Sequence, residues 1–315
     1  MRMFCALLVL ALSLQGFPLP GSAATKNGFD LKDALIPEKE ILSGGPPRDG
    51  IPAINNPRFE SATSARWLRD DDRVLALVIN GQAKAYPIKI LDWHEIVNDK
   101  VGDQHFVVTY CPLCGTGVVF AANIAGTALI FGVSGLLYNS DVLLYDRNSD
   151  SLWSQLMGKA IAGKLKGTEL PQIPATHTSW KNWHQMHPDT LVLSRDTGVK
   201  RDYNRSPYAG YEKTRRLYFK VSNKAPNNYH PKERVIGVEV DGMYKAYPVS
   251  ELSRNSLRRF EDVFNGKRLV INWNEEAMSA IVTNDADKLL PSVSSFWFAW
   301  YTFHPDTEVF TADQE

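Results

Sequence analysis

The segment Cys111-Pro112-Leu113-Cys114-Gly115 holds the residues best suited to chemistry. Two sulfurs at this spacing can meet one metal ion or each other. In a metal knuckle, a strand ends in a sharp turn, proline sets the turn, glycine permits positive φ, and both sulfurs face one side. The segment has that form. A tetrahedral site needs two more ligands, and the sequence has no second cysteine pair. The histidines that could serve are His94, His105, His177, His184, His187, His230 and His304. His94 is the preferred third ligand, because its helix leads directly into the cysteine strand. Thiolate with imidazole suits zinc and also copper.

A thiol–disulfide pair is the second reading. A thioredoxin-like site puts its first cysteine at a helix N-terminus, where backbone N–H groups stabilise thiolate. Here Gly115-Thr116-Gly117-Val118-Val119-Phe120 follows, which is glycine-rich and β-like. A redox pair would therefore work outside a thioredoxin fold. A purely structural disulfide is weaker still, because so short a loop adds little stability. The catalytic candidates are Cys111 and Cys114, with Glu95 or Asp141 as acid–base or ligand-supporting groups.

Other patterns carry less. His94-Glu95-Ile96-Val97-Asn98 begins like the H-E-x-x-H zinc helix but ends in asparagine. Gly132-Val133-Ser134-Gly135 is not the nucleophile elbow, so Ser134 reads as a turn residue. Asp141 and Asp146 flank a strand and project to opposite faces, which weakens a paired-carboxylate mechanism. There is no Walker loop and no dinucleotide fingerprint, so no nucleotide cofactor is indicated.

The elements that must hold the cysteines are duplicated. Asp72–Pro87 recurs as Glu233–Pro248 at an offset of 161 residues. Each copy reads as a hairpin turning at Asn80-Gly81 or Asp241-Gly242. Each proline ends the hairpin, and a helix is predicted next, over 88–98 in one copy and 249–264 in the other. Another strand follows, 104–110 against 267–273. The cysteine turn ends the first copy, whereas Asn274-Glu275-Glu276-Ala277 ends the second. One unit thus reads as scaffold and the other as furnished with a site. Between the copies come strand patterns at 128–133, 142–145 and 152–156. Ser179 caps a short predicted helix over 180–186, stopped near Pro188. Residues 200–232 read as loop. The aromatic tail Phe296–Phe303 reads as buried core.

Length and composition bound the rest. The chain has 315 residues, with 35 Lys+Arg against 35 Asp+Glu and three cysteines. That balance argues against nucleic acid as a partner. Arg2, the apolar run Met3–Leu14 and Ser22-Ala23-Ala24 form a secretory signal pattern, so residues 1–24 are expected to be removed. No later stretch is long enough to span a membrane. The mature chain, periplasmic or secreted, keeps only Cys111 and Cys114. Residues 25–58 read as an irregular arm. Residues 59–312 read as a single globular domain with repeat units near 72–120 and 233–282. The fold class is α+β and β-rich, mostly antiparallel strands with a few short helices.

Several long motifs are familiar. Tyr110–Gly115, Phe131–Asp141, Tyr145-Asp146, Ser151-Leu152-Trp153-Ser154-Gln155, Trp93–Asp99 and Trp297–Trp300 with His304-Pro305-Asp306-Thr307 resemble the prokaryotic family known as domain of unknown function 3179. The resemblance runs from about residue 60 to 310. It implies an exported location and a site around the two cysteines. It also implies that Tyr110, Ser134, Asn139, Asp141, Asp146, Trp153 and Gln155 gather near that site, all but Asp141 as candidate cofactor-binding residues. The resulting expectation is an exported protein binding zinc or copper through Cys111, Cys114 and His94, with catalysis open. The alternatives are a thiol–disulfide redox protein and a non-catalytic binding or assembly protein. The partner is a metal ion or an unidentified small molecule.

Overall fold

The structure is a computed structural model that describes residues 25–255 and 257–312. The expected signal segment, 1–24, lies outside the described residues. The first unit opens with the antiparallel hairpin β1 (Arg73–Ile79) and β2 (Gln82–Pro87). Asn80 and Gly81 both have positive φ, as a primed two-residue turn requires. Helix α1 (Ile88–His94) follows, then a three-stranded meander of β3 (Ile96–Val101), β4 (Gln104–Cys111) and β5 (Thr116–Ala121).

The predicted helix over 88–98 is therefore too long. The chain leaves the helix at Glu95, whose φ is +56°, and the β-branched pair Ile96-Val97 enters the sheet instead. Backbone pairing fixes this break, since the Tyr110 N–H donates to the Glu95 carbonyl at 2.7 Å. The second copy makes the same correction. Its helix ends at Arg254, and Arg259–Phe264 is a strand.

An insertion follows the first meander. It carries an antiparallel sheet of β6 (Phe131–Tyr138), β7 (Asp141–Asp146), β8 (Leu152–Ser154) and β9 (Lys159–Ala162). Ile41–Ser43 from the N-terminal arm pairs with the free edge of β6. The unit then closes with β10 (Thr176–Ser179), α2 (Trp180–Met186) and β11 (Leu191–Leu193). Strand β10 pairs antiparallel with β1, and β11 lies parallel to β2. Ser179 caps α2 as expected, its Oγ accepting from Asn182 N–H at 3.3 Å.

The second unit repeats the order: β12 (Arg234–Val240), β13 (Met243–Pro248), α3 (Val249–Arg254), and the meander β14 (Arg259–Phe264), β15 (Lys267–Asn274) and β16 (Ser279–Asn284). It closes with β17 (Ser292–Phe296), α4 (Trp297–Phe303) and β18 (Glu308–Val309), on β12 and β13 in the same pairing pattern. Only a short link, 285–291, replaces the insertion. The closing segments also match in sequence. Trp180, Trp183 and His187-Pro188-Asp189-Thr190 correspond to Trp297, Trp300 and His304-Pro305-Asp306-Thr307. In each copy the second tryptophan donates its Nε1–H to the threonine Oγ1 at 2.9 Å. The aromatic tail is core as expected, with Trp297, Phe298 and Trp300 no more than 2% exposed.

The two units brace each other reciprocally. Thr178 on β10 shares a 2.9 Å hydroxyl hydrogen bond with Ser279 on β16. Their repeat equivalents, Ser295 on β17 and Thr116 on β5, share another at 2.9 Å. Each closing strand thus lies against the other unit's meander. The Phe296 N–H reaches the Cys114 carbonyl at 2.8 Å, so the second unit holds the cysteine turn of the first.

Candidate metal centre

The cysteines occupy the turn between β4 and β5. Cys111 ends β4, the Cys114 N–H closes the turn onto the Cys111 carbonyl at 3.2 Å, and Gly115 follows at φ +60°. A side chain at 115 would run into the Phe296 ring, so both conformation and space call for glycine there.

The tip of the β6–β7 hairpin meets this turn. Asn139 and Ser140 both have positive φ, +53° and +66°, and make a two-residue primed turn. The Ser140 carbonyl lies 3.6 Å from Cys111 Sγ and 3.3 Å from Cys114 Sγ. Asp141, the next residue, completes a group with both sulfurs in which the ligand atoms lie within 4.8 Å of one another. All three side chains are almost fully buried, at 1% exposure for Cys111 and none for Cys114 or Asp141. Asp141 Oδ2 accepts from the Leu156 N–H at 3.0 Å. Its Oδ1 has no hydrogen-bond partner among the described residues.

Burial dominates the electrostatics. It pushes the Cys111 thiol up and the Cys114 thiol well up. It also raises the Asp141 carboxyl to about 7, against the N–H groups of Leu156 and Val142 that favour the charged form. Glu95 is raised to about 8 by burial, with the charges of Asp141 and Asp92 adding to the effect and a Tyr208 hydroxyl contact opposing it. A cluster this dry does not stabilise negative charge by itself, and burial favours its protonated, neutral forms.

The structure does not bring His94 to the sulfurs. Its two ring nitrogens pair with the Pro52 carbonyl and the Tyr203 hydroxyl, each at 2.7 Å. Asp141 is the residue that lies with the sulfurs instead. Glu95 lies buried on the stretch joining α1 to β3, outside the ligand group. Asn139 shapes the tip, its Oδ1 accepting from the Ser222 N–H at 2.7 Å. Gln155 donates to Thr109 Oγ1 at 2.8 Å beside Leu156. Tyr110 is buried immediately before Cys111. Ser134 and Asp146 serve the insertion itself, and Trp153 packs in the buried cluster that holds the cysteines. Ser134 Oγ accepts from the Leu136 N–H across a bulge in β6, and Asp146 accepts from Trp153 Nε1 at 2.9 Å.

Sequence reasoning passed over several neighbours. Tyr211, from the stretch read as loop, packs in the same buried cluster as Cys111, Leu113 and Cys114. Arg73 and Arg234, equivalent residues of the two copies, face a cavity beside the turn. Their 161-residue relation was visible in the repeat. Asp92 faces that cavity too, and Ser206 Oγ donates to its carboxylate at 2.6 Å.

Burial raises the Asp92 carboxyl to about 6, with the Glu212 charge adding. Because its folded value lies above the ordinary one, protonated Asp92 favours the fold. That contribution is complete below about pH 4 and is lost as pH rises through about 6. Asp92→Asn should therefore leave stability unchanged near pH 3.5. Above about pH 7 it should raise stability by about 1–3 kcal/mol. Denaturant midpoints of both proteins across this range check the sign; equal stability at pH 8 refutes it.

A β-rich scaffold of two braced copies, one carrying a buried Cys–Cys–Asp group, defines the class of protein. The chain belongs to the family described as "Protein of unknown function (DUF3179)", whose family model matches residues 48–289. No curated protein and no solved structure matches the chain.

Proposed function

We propose that this protein binds one zinc ion through Cys111 Sγ, Cys114 Sγ and an Asp141 carboxylate oxygen, with the Ser140 carbonyl as fourth ligand. The observation that carries the reading is the convergence of two sulfurs on Asp141, whose buried Oδ1 is unpartnered among the described residues. Ligands of one tetrahedral zinc ion, with bonds of about 2.3 Å to sulfur and about 2.1 Å to oxygen, lie about 3.6 Å apart. The Ser140 oxygen stands close to that spacing, 3.6 Å from Cys111 Sγ and 3.3 Å from Cys114 Sγ. A carboxylate and a carbonyl are hard donors, which favours zinc over copper(I) beside two thiolates.

Four protein donors and full burial suit a closed, fold-joining site rather than an open catalytic one. The ion would tie the cysteine turn to the β6–β7 hairpin. Export through the N-terminal signal pattern belongs to the same reading, on sequence alone. Among the described residues no helix is long and apolar enough to cross a membrane.

Cobalt substitution tests the proposal. Reduced protein refolded with Co²⁺ should show a thiolate-to-cobalt charge-transfer band at one equivalent, and zinc should bleach it. Absence of the band in reduced, folded protein overturns the proposal. A Cys111–Cys114 disulfide that cycles under mild reductant would establish the redox reading instead.

A further inference from the structure

A cavity of about 230 Å³ lies beside the cysteine turn, with Pro112 in its wall. It is lined by polar groups that the fold leaves unpaired. His177 is buried, and neither ring nitrogen has a hydrogen-bond partner among the described residues. The same holds for the Tyr211 hydroxyl and for Arg73 Nε. The remaining Arg73 nitrogens reach backbone carbonyls, Nη2 to His177 at 2.8 Å and Nη1 to Ala277. Among the described residues none of its bonds is to a carboxylate. The acidic residues of the wall are engaged elsewhere. Asp92 accepts from Ser206, and the Glu212 carboxylate stands 4.0 Å from Arg234.

The duplication separates what the fold needs from what this cavity adds. Arg73 and Arg234 are equivalent, but His177 corresponds to Ser294 and Tyr110 to Trp273. The scaffold accepts serine at the histidine position, so His177 is not required to close the core. Unpaired buried donors cost stability unless an acceptor fills the space. Burial and the nearby Arg234 pull Arg73 down to about 9, with Tyr110 and Glu212 opposing.

We propose that this cavity binds a small carboxylate, paired with Arg73 and hydrogen-bonded by His177 and Tyr211. At about 30 Å³ per water-sized atom the space admits about eight non-hydrogen atoms, the size of a short mono- or dicarboxylic acid. A planar carboxylate matches the guanidinium better than a tetrahedral anion does. The inference goes beyond the zinc site and does not need it, because no cavity-lining donor is a proposed metal ligand.

Calorimetric titration of the full mature chain with succinate, acetate and inorganic phosphate tests it. Succinate or acetate should bind saturably below about 10 mM. His177→Ser, which copies the second unit, and Tyr211→Phe should each weaken binding at least about fivefold in protein that remains folded. Binding should persist in Cys111→Ser/Cys114→Ser, so loss of the zinc reading would leave it standing. No saturable binding of either carboxylate, tighter binding of phosphate, or binding indifferent to both variants overturns the proposal.

Discussion

Cys114→Ser is expected to lower zinc affinity by two to three orders of magnitude. A structural zinc site supplies about 10–16 kcal/mol, so one of four ligands accounts for about 2.5–4 kcal/mol, or a factor of about one hundred to several hundred. Serine is close to cysteine in shape, and the Cys114 backbone, held by the Phe296 N–H, is untouched. Packing loss is therefore small, and the change reads the sulfur itself. Asp141→Asn is the companion. It preserves volume and can still accept from Leu156 N–H, but it removes the anionic ligand and should also cost at least tenfold. Competition with a chromophoric chelator measures both. If Cys114→Ser weakens zinc while Asp141→Asn does not, the carboxylate is not a ligand. If neither changes, the convergence of these groups has no role in metal binding.

Gly135→Ala should be the most damaging single methyl group in the described chain. Gly135 sits in the β6 bulge at φ +75°, where an added Cβ would stand 2.2 Å from the Pro46 carbonyl oxygen and 3.0 Å from that of Pro47. Backbone atoms cannot swing aside as a side-chain tip can. The arm must lift, and with it the Gly44 N–H bond to the Gly135 carbonyl at 2.8 Å. The left-handed conformation alone costs alanine about 1–2 kcal/mol. With the clash, the expected loss is about 3–5 kcal/mol, or about 10 °C in melting temperature. Gly81→Ala is the control. Its φ is +76°, yet no atom lies within 4 Å of the added Cβ, so it should lose only about 1 kcal/mol. Equal losses would show that φ alone decides. Because the bulged hairpin also carries Ser140 and Asp141, zinc affinity should fall in Gly135→Ala but not in Gly81→Ala.

The scaffold was readable where local chemistry decides it. The two hairpins announce themselves through alternating residues and Asn-Gly or Asp-Gly turns, and the cysteine turn through its proline and glycine. The helix boundary at His94 was not readable, because Trp93–Asn98 fits a helical pattern as well as a strand. What stops the helix is a hydrogen bond from Tyr110, fifteen residues onward. The approach of Asp141, rather than His94, to the sulfurs was hidden for a similar reason. His94 is near Cys111 along the chain and chemically apt, but its ring is occupied by Pro52 and Tyr203. Asp141 reaches the sulfurs through an Asn-Ser turn at the tip of an inserted hairpin, and nothing local to Asp141 states where that tip docks. The aromatic closing segments could have been paired from Trp-x-x-Trp and His-Pro-Asp-Thr, which occur twice.

The bond from Phe296 to the Cys114 carbonyl bears on the order of folding. It joins residues 182 positions apart, and the reciprocal bracing multiplies such distant contacts. Chains of this contact order fold slowly, since loop closure precedes any reward from the contact. The cysteine turn and the inserted hairpin both lie within the first unit and can meet before the second unit docks. Zinc would then be captured by an open half-chain and sealed in afterwards. Its release from the finished protein would wait on reopening of the brace, so exchange with a chelator would follow the unfolding rate rather than the intrinsic affinity.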